Sequence, residues 1–172
     1  MRAKVAGSLR KEFETVLRNA LPRVERDTES VLPPGWRCYR LGSEQDLHYF
    51  VLLGISPQFE DFVVTCIWNT RPLLPDTTGA EIEEQSGEFA LHHLQDPRRA
   101  YGWTLTPGAG LGDLFDPYDE PWQDRYPVDE AVARVPAAVA EAIELLVEAG
   151  LPALERLARI RGRNLEDLDS VR

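Results

Sequence analysis

Leu47-His48-Tyr49-Phe50-Val51-Leu52-Leu53-Gly54-Ile55 is rich in β-formers and apolar on both faces that an extended chain presents. A strand of that kind belongs at the centre of a sheet, where both sides are covered. Upstream, Trp36 to Leu41 alternates, with Trp36 and Cys38 on one face and Arg37 and Tyr39 on the other. Downstream, Phe62 to Thr70 places Phe62, Val64, Cys66 and Trp68 on one side and Val63, Thr65, Ile67 and Asn69 on the other. The connectors, Gly42 to Asp46 and Ser56 to Asp61, carry turn residues. Both are too short for a parallel crossover, which takes about a dozen residues or more. The region therefore predicts a three-stranded antiparallel meander.

Helices flank it. Leu9, Phe13, Val16, Leu17, Ala20 and Leu21 recur at helical spacing, which predicts a helix over 5–24 with Ser8 as cap and Pro22 ending or kinking it. At the other end, Val128-Asp129-Glu130 starts a helix with its carboxylates near the positive pole of the dipole. Pro136 is expected to divide it. Val139, Ile143, Leu146 and Val147 form its apolar stripe. Gly150 reads as the residue that ends this helix, and Pro152 as the first turn of the next, which runs to Ile160 with Leu154 and Leu157 inward. Residues 161–172 are polar and expected to fray. Residues 71–86 read as a loop. Glu88–Leu94 and Gly102–Thr106 read as short further strands, and 107–127 as a proline-rich loop whose aromatics favour packing.

The fold class is thus α+β: an antiparallel meander sheet of three to five strands packed against N-terminal and C-terminal helices. A chain of 172 residues suits a single domain. No apolar run approaches the roughly 20 residues needed to span a bilayer. The N-terminus is basic but meets Arg10-Lys11-Glu12 before an apolar core forms, unlike a secretory signal. Two cysteines, Cys38 and Cys66, are too few for a stapled scaffold, so a cytoplasmic setting is expected.

The formal net charge is −10, and it is unevenly spread. Residues 1–40 carry +4, residues 41–132 carry −13 and residues 133–172 carry −1. An acidic chain is a poor ligand for nucleic acid or anionic lipid, so neither is expected as a partner. The negative middle suits the steering of a basic protein.

The helix–meander–helix order, closing on Val147-Glu148-Ala149-Gly150-Leu151-Pro152-Ala153-Leu154, resembles the DUF4304-like group of bacterial domains of unknown function. The resemblance covers residues 5–70 and 128–160. It implies a sheet backed by terminal helices, and some relatives are similar to immunity proteins encoded beside bacterial toxins. It supplies no catalytic residues.

The chain carries no Gly-x-Ser-x-Gly, no Ser-x-x-Lys and no Walker loop. Gly108-Ala109-Gly110-Leu111-Gly112 is glycine-rich but opens into Asp113-Leu114-Phe115-Asp116, whose carboxylates would repel phosphate. His92 and His93 are neighbours and, in an extended strand, would face opposite ways. Neither they nor His48 show metal-type spacing. The cysteines read as small buried hydrophobes. No catalytic residue, metal or cofactor is therefore assigned.

The segment 113–126 interleaves carboxylates with aromatics. Asp113, Asp116, Asp119, Glu120 and Asp124 would speed encounter with a basic partner, and Tyr118 and Trp122 would anchor it. The expected function is a non-enzymatic, acidic protein-binding module, in its narrowest form an immunity-type inhibitor of a basic effector. Two alternatives stand beside it. One is a metal-assisted hydrolase using His92 or His93 with the acidic loop, and the other is a self-associating structural domain.

Overall fold

Trp36–Glu44 (β2), Leu47–Ile55 (β3) and Asp61–Asn69 (β4) pair antiparallel in chain order in the computed structural model, which describes residues 2–56, 61–72, 74, 86–98, 102–105 and 128–169. The predicted meander is therefore present, with β3 at its centre. The sheet extends on both sides. Glu25–Asp27 (β1) pairs with β2, and Ser86–Ala90 (β5) pairs with β4. Trp103–Thr104 (β6) pairs with the start of β4, at Asp61 and Phe62. Six described strands thus form one antiparallel sheet, in the order β1-β2-β3-β4-β5 with β6 beside β4.

Alternation along the strands builds two apolar faces. Tyr39, Val51, Leu53, Val64, Cys66 and Trp68 point to one side, under the helices. Helix α1, Arg2–Ala20, sets Leu9, Phe13 and Leu17 into that side, and all three are fully buried. Helix α1 stops at Ala20, four residues before the predicted end. Pro22 follows it, and Leu21 and Val24 are held by single turns. Helix α2, Val128–Leu145, packs along α1 and contributes Val135, Val139 and Ile143. The opposite face buries Cys38, Phe50, Leu52 and Ile67, with Leu74, Leu32 and Trp36 against them. Cys38 and Cys66 therefore lie on opposite sides of the sheet, both as free thiols.

Several expectations are corrected. Gly42 does not end β2. The strand bulges there, so that Arg40 pairs Phe50 while Gly42 pairs Tyr49, and it continues to Glu44. Gly42 adopts φ 151°, which a residue with a Cβ rarely takes. The turn itself is Gln45-Asp46, with Gln45 left-handed at φ 57°.

Pro136 does not divide the C-terminal region. It sits inside an unbroken α2, on the exposed side, while Val135 and Val139 hold both halves to the core. Gly150 does not cap a helix end. A π turn, Leu146–Gly150, joins α2 to α3, Leu151–Arg159, and Gly150 stays right-handed at φ −64°. The Leu151 N–H bonds the carbonyl of Leu146, five residues back. This wider turn relieves the crowding that Pro152 would impose on the carbonyl four residues before it. It also shifts the helical phase, which leaves Val147 40% exposed instead of in the stripe. Gly150 is small for a packing reason, since a Cβ there would stand 2.6 Å from Leu91 Cδ1.

Residues 91–94 leave the predicted strand as a 3₁₀ turn after β5. The polar stretch after α3 is docked as far as residue 169. Gly162 accepts a hydrogen bond from Trp68 Nε1 at 2.8 Å, the Glu88 N–H bonds the Arg163 carbonyl, and Leu165–Asp169 forms a short helix, α4. No described helix is long and apolar enough to cross a membrane.

Candidate functional site

The bulge in β2 opens a groove of about 470 Å³ beside it. One wall is the chain leaving α1, residues 21–24, and the other is the start of α3. The β2 residues 41–44 and Tyr49 of β3 form its floor, and Leu21, Val24, Leu41, Leu151 and Leu154 make the lining mainly apolar. The sequence builds it from local rules. Pro22 ends α1 just before the chain joins the sheet as β1, Gly42 bulges β2, and Pro152 lies in the first turn of α3.

Polar groups gather at one end. Burial, then the carboxylates of Glu44 and Glu155, push the Tyr49 phenol above its ordinary value, and these outweigh Arg159 and Arg161 nearby. The hydroxyl thus stays a neutral donor in a negative field. Both arginines are already engaged, Arg159 with Glu155 at 3.9 Å and Arg161 with Asp46 at 3.0 Å. Glu44 has no ion pair among the described residues. Arg23 is the one base in the lining. The groove can therefore take an apolar side chain together with a neighbouring cation or hydrogen-bond acceptor.

The anchors expected from sequence, Asp113, Asp116, Tyr118, Asp119, Glu120, Trp122 and Asp124, lie outside the described residues, as does the glycine-rich run at 108–112. His92 and His93 are described. The 3₁₀ turn brings their rings together edge to face, 4.5 Å apart, where an extended strand would have separated them. His92 is buried and its ring also meets Trp103 at 6.3 Å. Among the described residues, no group of three or more His, Cys, Asp or Glu is placed to hold a metal ion.

The thiols are poor nucleophiles. Burial raises the Cys66 thiol pKa strongly, and burial followed by the Asp27 carboxylate does the same to Cys38. A reactive cysteine needs the opposite shift.

The groove is not legible in the sequence, because its lining comes from four separated stretches. A glycine inside an otherwise strand-like run is the signal that points to it, since such a glycine often marks a bulge. Comparison of the chain with family models, curated proteins and solved structures gives no match.

Proposed function

We propose that this chain is a non-enzymatic protein-binding module for a basic partner, with the groove between α1, β2 and α3 as its anchor point. The observation that carries the reading is the groove itself: a mainly apolar lining beside Tyr49, whose hydroxyl sits among the carboxylates of Glu44 and Glu155. An apolar side chain next to a Lys or Arg on the partner fits that arrangement. Hot spots of this kind combine a desolvated apolar contact with an aromatic group, while rim carboxylates set the rate of encounter. The net charge of −10 acts in the same direction over longer range.

The sequence adds a second contact to the proposal. The acidic and aromatic residues of 113–124 supply further steering charge and the anchors Tyr118 and Trp122. The resemblance to immunity-like domains gives the narrow version, in which the partner is a basic effector held inactive by the complex.

The test compares the wild-type chain with Glu44→Lys/Glu155→Lys and with Leu151→Asp. Each is immobilised, exposed to source-cell lysate at low salt and washed with a rising salt gradient. One stoichiometric basic protein should leave the wild type as salt rises. With that protein purified, the double charge reversal should slow association by about tenfold at low salt, with the gap closing at high salt. Leu151→Asp should speed dissociation. Equal binding by all three chains would overturn the reading, as would recovery of a second copy of this chain alone.

A further inference from the structure

Strand β1 covers only part of the edge of β2. Its last pair on the α1 side is Glu25 with Arg40. Upstream of Glu25 the backbone bonds back to the end of α1, the Val24 N–H to the Leu21 carbonyl at 3.0 Å and the Leu21 N–H to the Leu17 carbonyl at 2.8 Å. Strand β2 runs on through 41–44, paired on one side with β3. Among the described residues, no strand pairs with 41–44 on the other side. Gly42, Ser43 and Glu44 are exposed, and all four residues line the groove. A free sheet edge therefore runs along it.

The register fixes which groups that edge presents. Across the two-residue turn, Glu44 and Leu47 form the hydrogen-bonded pair that closes the hairpin. Hydrogen-bonded and non-bonded pairs alternate, so Ser43, opposite His48, directs its N–H and C=O to the open edge. Side chains alternate too. Leu47 and Tyr49 belong to the core under the helices, so their partners Glu44 and Gly42 face that side, towards the groove. A Cβ at Gly42 would meet nothing within 4 Å. Along this edge the groove thus offers apolar lining at Leu41, open space over Gly42 and then the Glu44 carboxylate, with Glu155 of α3 also in the lining.

We infer that the partner enters the groove as an extended segment that adds a short strand to the free edge of β2. It bonds the Ser43 N–H and C=O and carries an apolar residue two positions from a Lys or Arg. The spacing follows from the pleat, in which side chains two apart share a face about 7 Å from each other. One fills the lining at Leu41 while the other reaches Glu44. Main-chain bonds give such a strand its affinity, and the alternate side chains give it specificity. Charge selects a basic segment, because Glu44 has no ion pair among the described residues and the net charge is −10. It also disfavours a second copy of this chain. Two β2 edges paired about Ser43 would bring Glu44 towards its own equivalent, and like charges across strands repel. The inference rests on the protein-binding reading and adds the form in which the partner binds.

The probe is the synthetic peptide acetyl-Thr-Lys-Thr-Val-Thr-Lys-Thr-amide. Its lysines stand two positions from Val on both sides, so it suits either strand direction. It is titrated into the isotope-labelled full-length chain and followed by backbone amide NMR. Saturable shifts are expected at Ser43 and across Leu151–Glu155, with the Ser43 amide proton moving downfield as it gains a carbonyl. N-methylation of the two Thr beside Val removes the N–H groups that face the edge and keeps every side chain. It should weaken binding by about tenfold. Moving both lysines next to Val sends them to the opposite face and should cost about threefold, the worth of an exposed ion pair. Equal affinity of the parent and N-methylated peptides would overturn strand addition while the groove still stands as a side-chain anchor. The two readings therefore fail separately. No shift at Ser43 with the parent peptide up to about 10 mM would also overturn strand addition. The capture experiment with Leu151→Asp then judges the protein-binding reading by itself.

Discussion

Asp27 shows how one residue ties the edge of the sheet to its chemistry. Its side chain is 1% exposed, yet its carboxylate is well supplied with donors. It accepts the N–H of Glu29 at 2.9 Å, the N–H of Ser30 at 3.3 Å and the Ser30 hydroxyl at 2.6 Å. Arg40 Nη2 stands 3.6 Å away. Burial alone would raise the pKa, but the hydrogen bonds from Ser30 and Glu29, with Arg40, bring it below the ordinary value. A depressed folded pKa contributes stability above the unfolded value of about 3.9, and that contribution is lost as pH falls through the folded pKa. Asp27→Asn should therefore lower the unfolding free energy by about 1–3 kcal/mol at pH 7, with the deficit shrinking towards pH 3. Urea denaturation at both pH values checks it, and a deficit that does not change with pH would sink the account. The sequence did carry a trace of this role. An Asp followed three residues later by Ser is a side-chain turn pattern. What it did not carry was the burial, which comes from pairing between β1 and β2 and is set by distant residues.

At the scale of elements, the meander was legible because β3 is apolar on both faces and its neighbours alternate. Strands β1 and β6 were not, since three and two residues leave no period to detect. Helix α1 was legible from its spacing, but its ends were not: it starts at Arg2, so that Ser8 lies inside it and does not cap it, and it stops four residues before the expected end. The C-terminal helices were misread where local grammar met tertiary packing. Pro136 should break a helix in isolation, but buried Val135 and Val139 on either side keep α2 continuous. Gly150 looks like a cap in sequence, yet it is small because Leu91 lies against it. The π turn itself has no sequence signature beyond the proline two residues after it. A testable consequence concerns Pro136, which lacks the N–H that would bond the Val132 carbonyl and is exposed to water. Pro136→Ala restores that bond without touching the core. It should stabilise the chain by about 1–3 kcal/mol in urea denaturation. A lower midpoint than wild type would mean that the proline, and not its buried neighbours, sets the path of α2.

For the molecule as a whole, charge was the property most legible from sequence and the groove the least. The −10 total and the −13 carried by residues 41–132 follow from counting. The groove does not, because residues 21–24, 41–44, 49 and 151–155 meet only after folding. Net charge makes one more prediction. Self-repulsion destabilises the compact state, and the described ion pairs are mostly exposed, so they offset little of it. Raising sodium chloride from about 0.02 M to about 0.5 M shortens the Debye length several-fold, so the thermal midpoint should rise. A midpoint that falls with chloride would show that attraction, not repulsion, dominates the surface of this acidic chain.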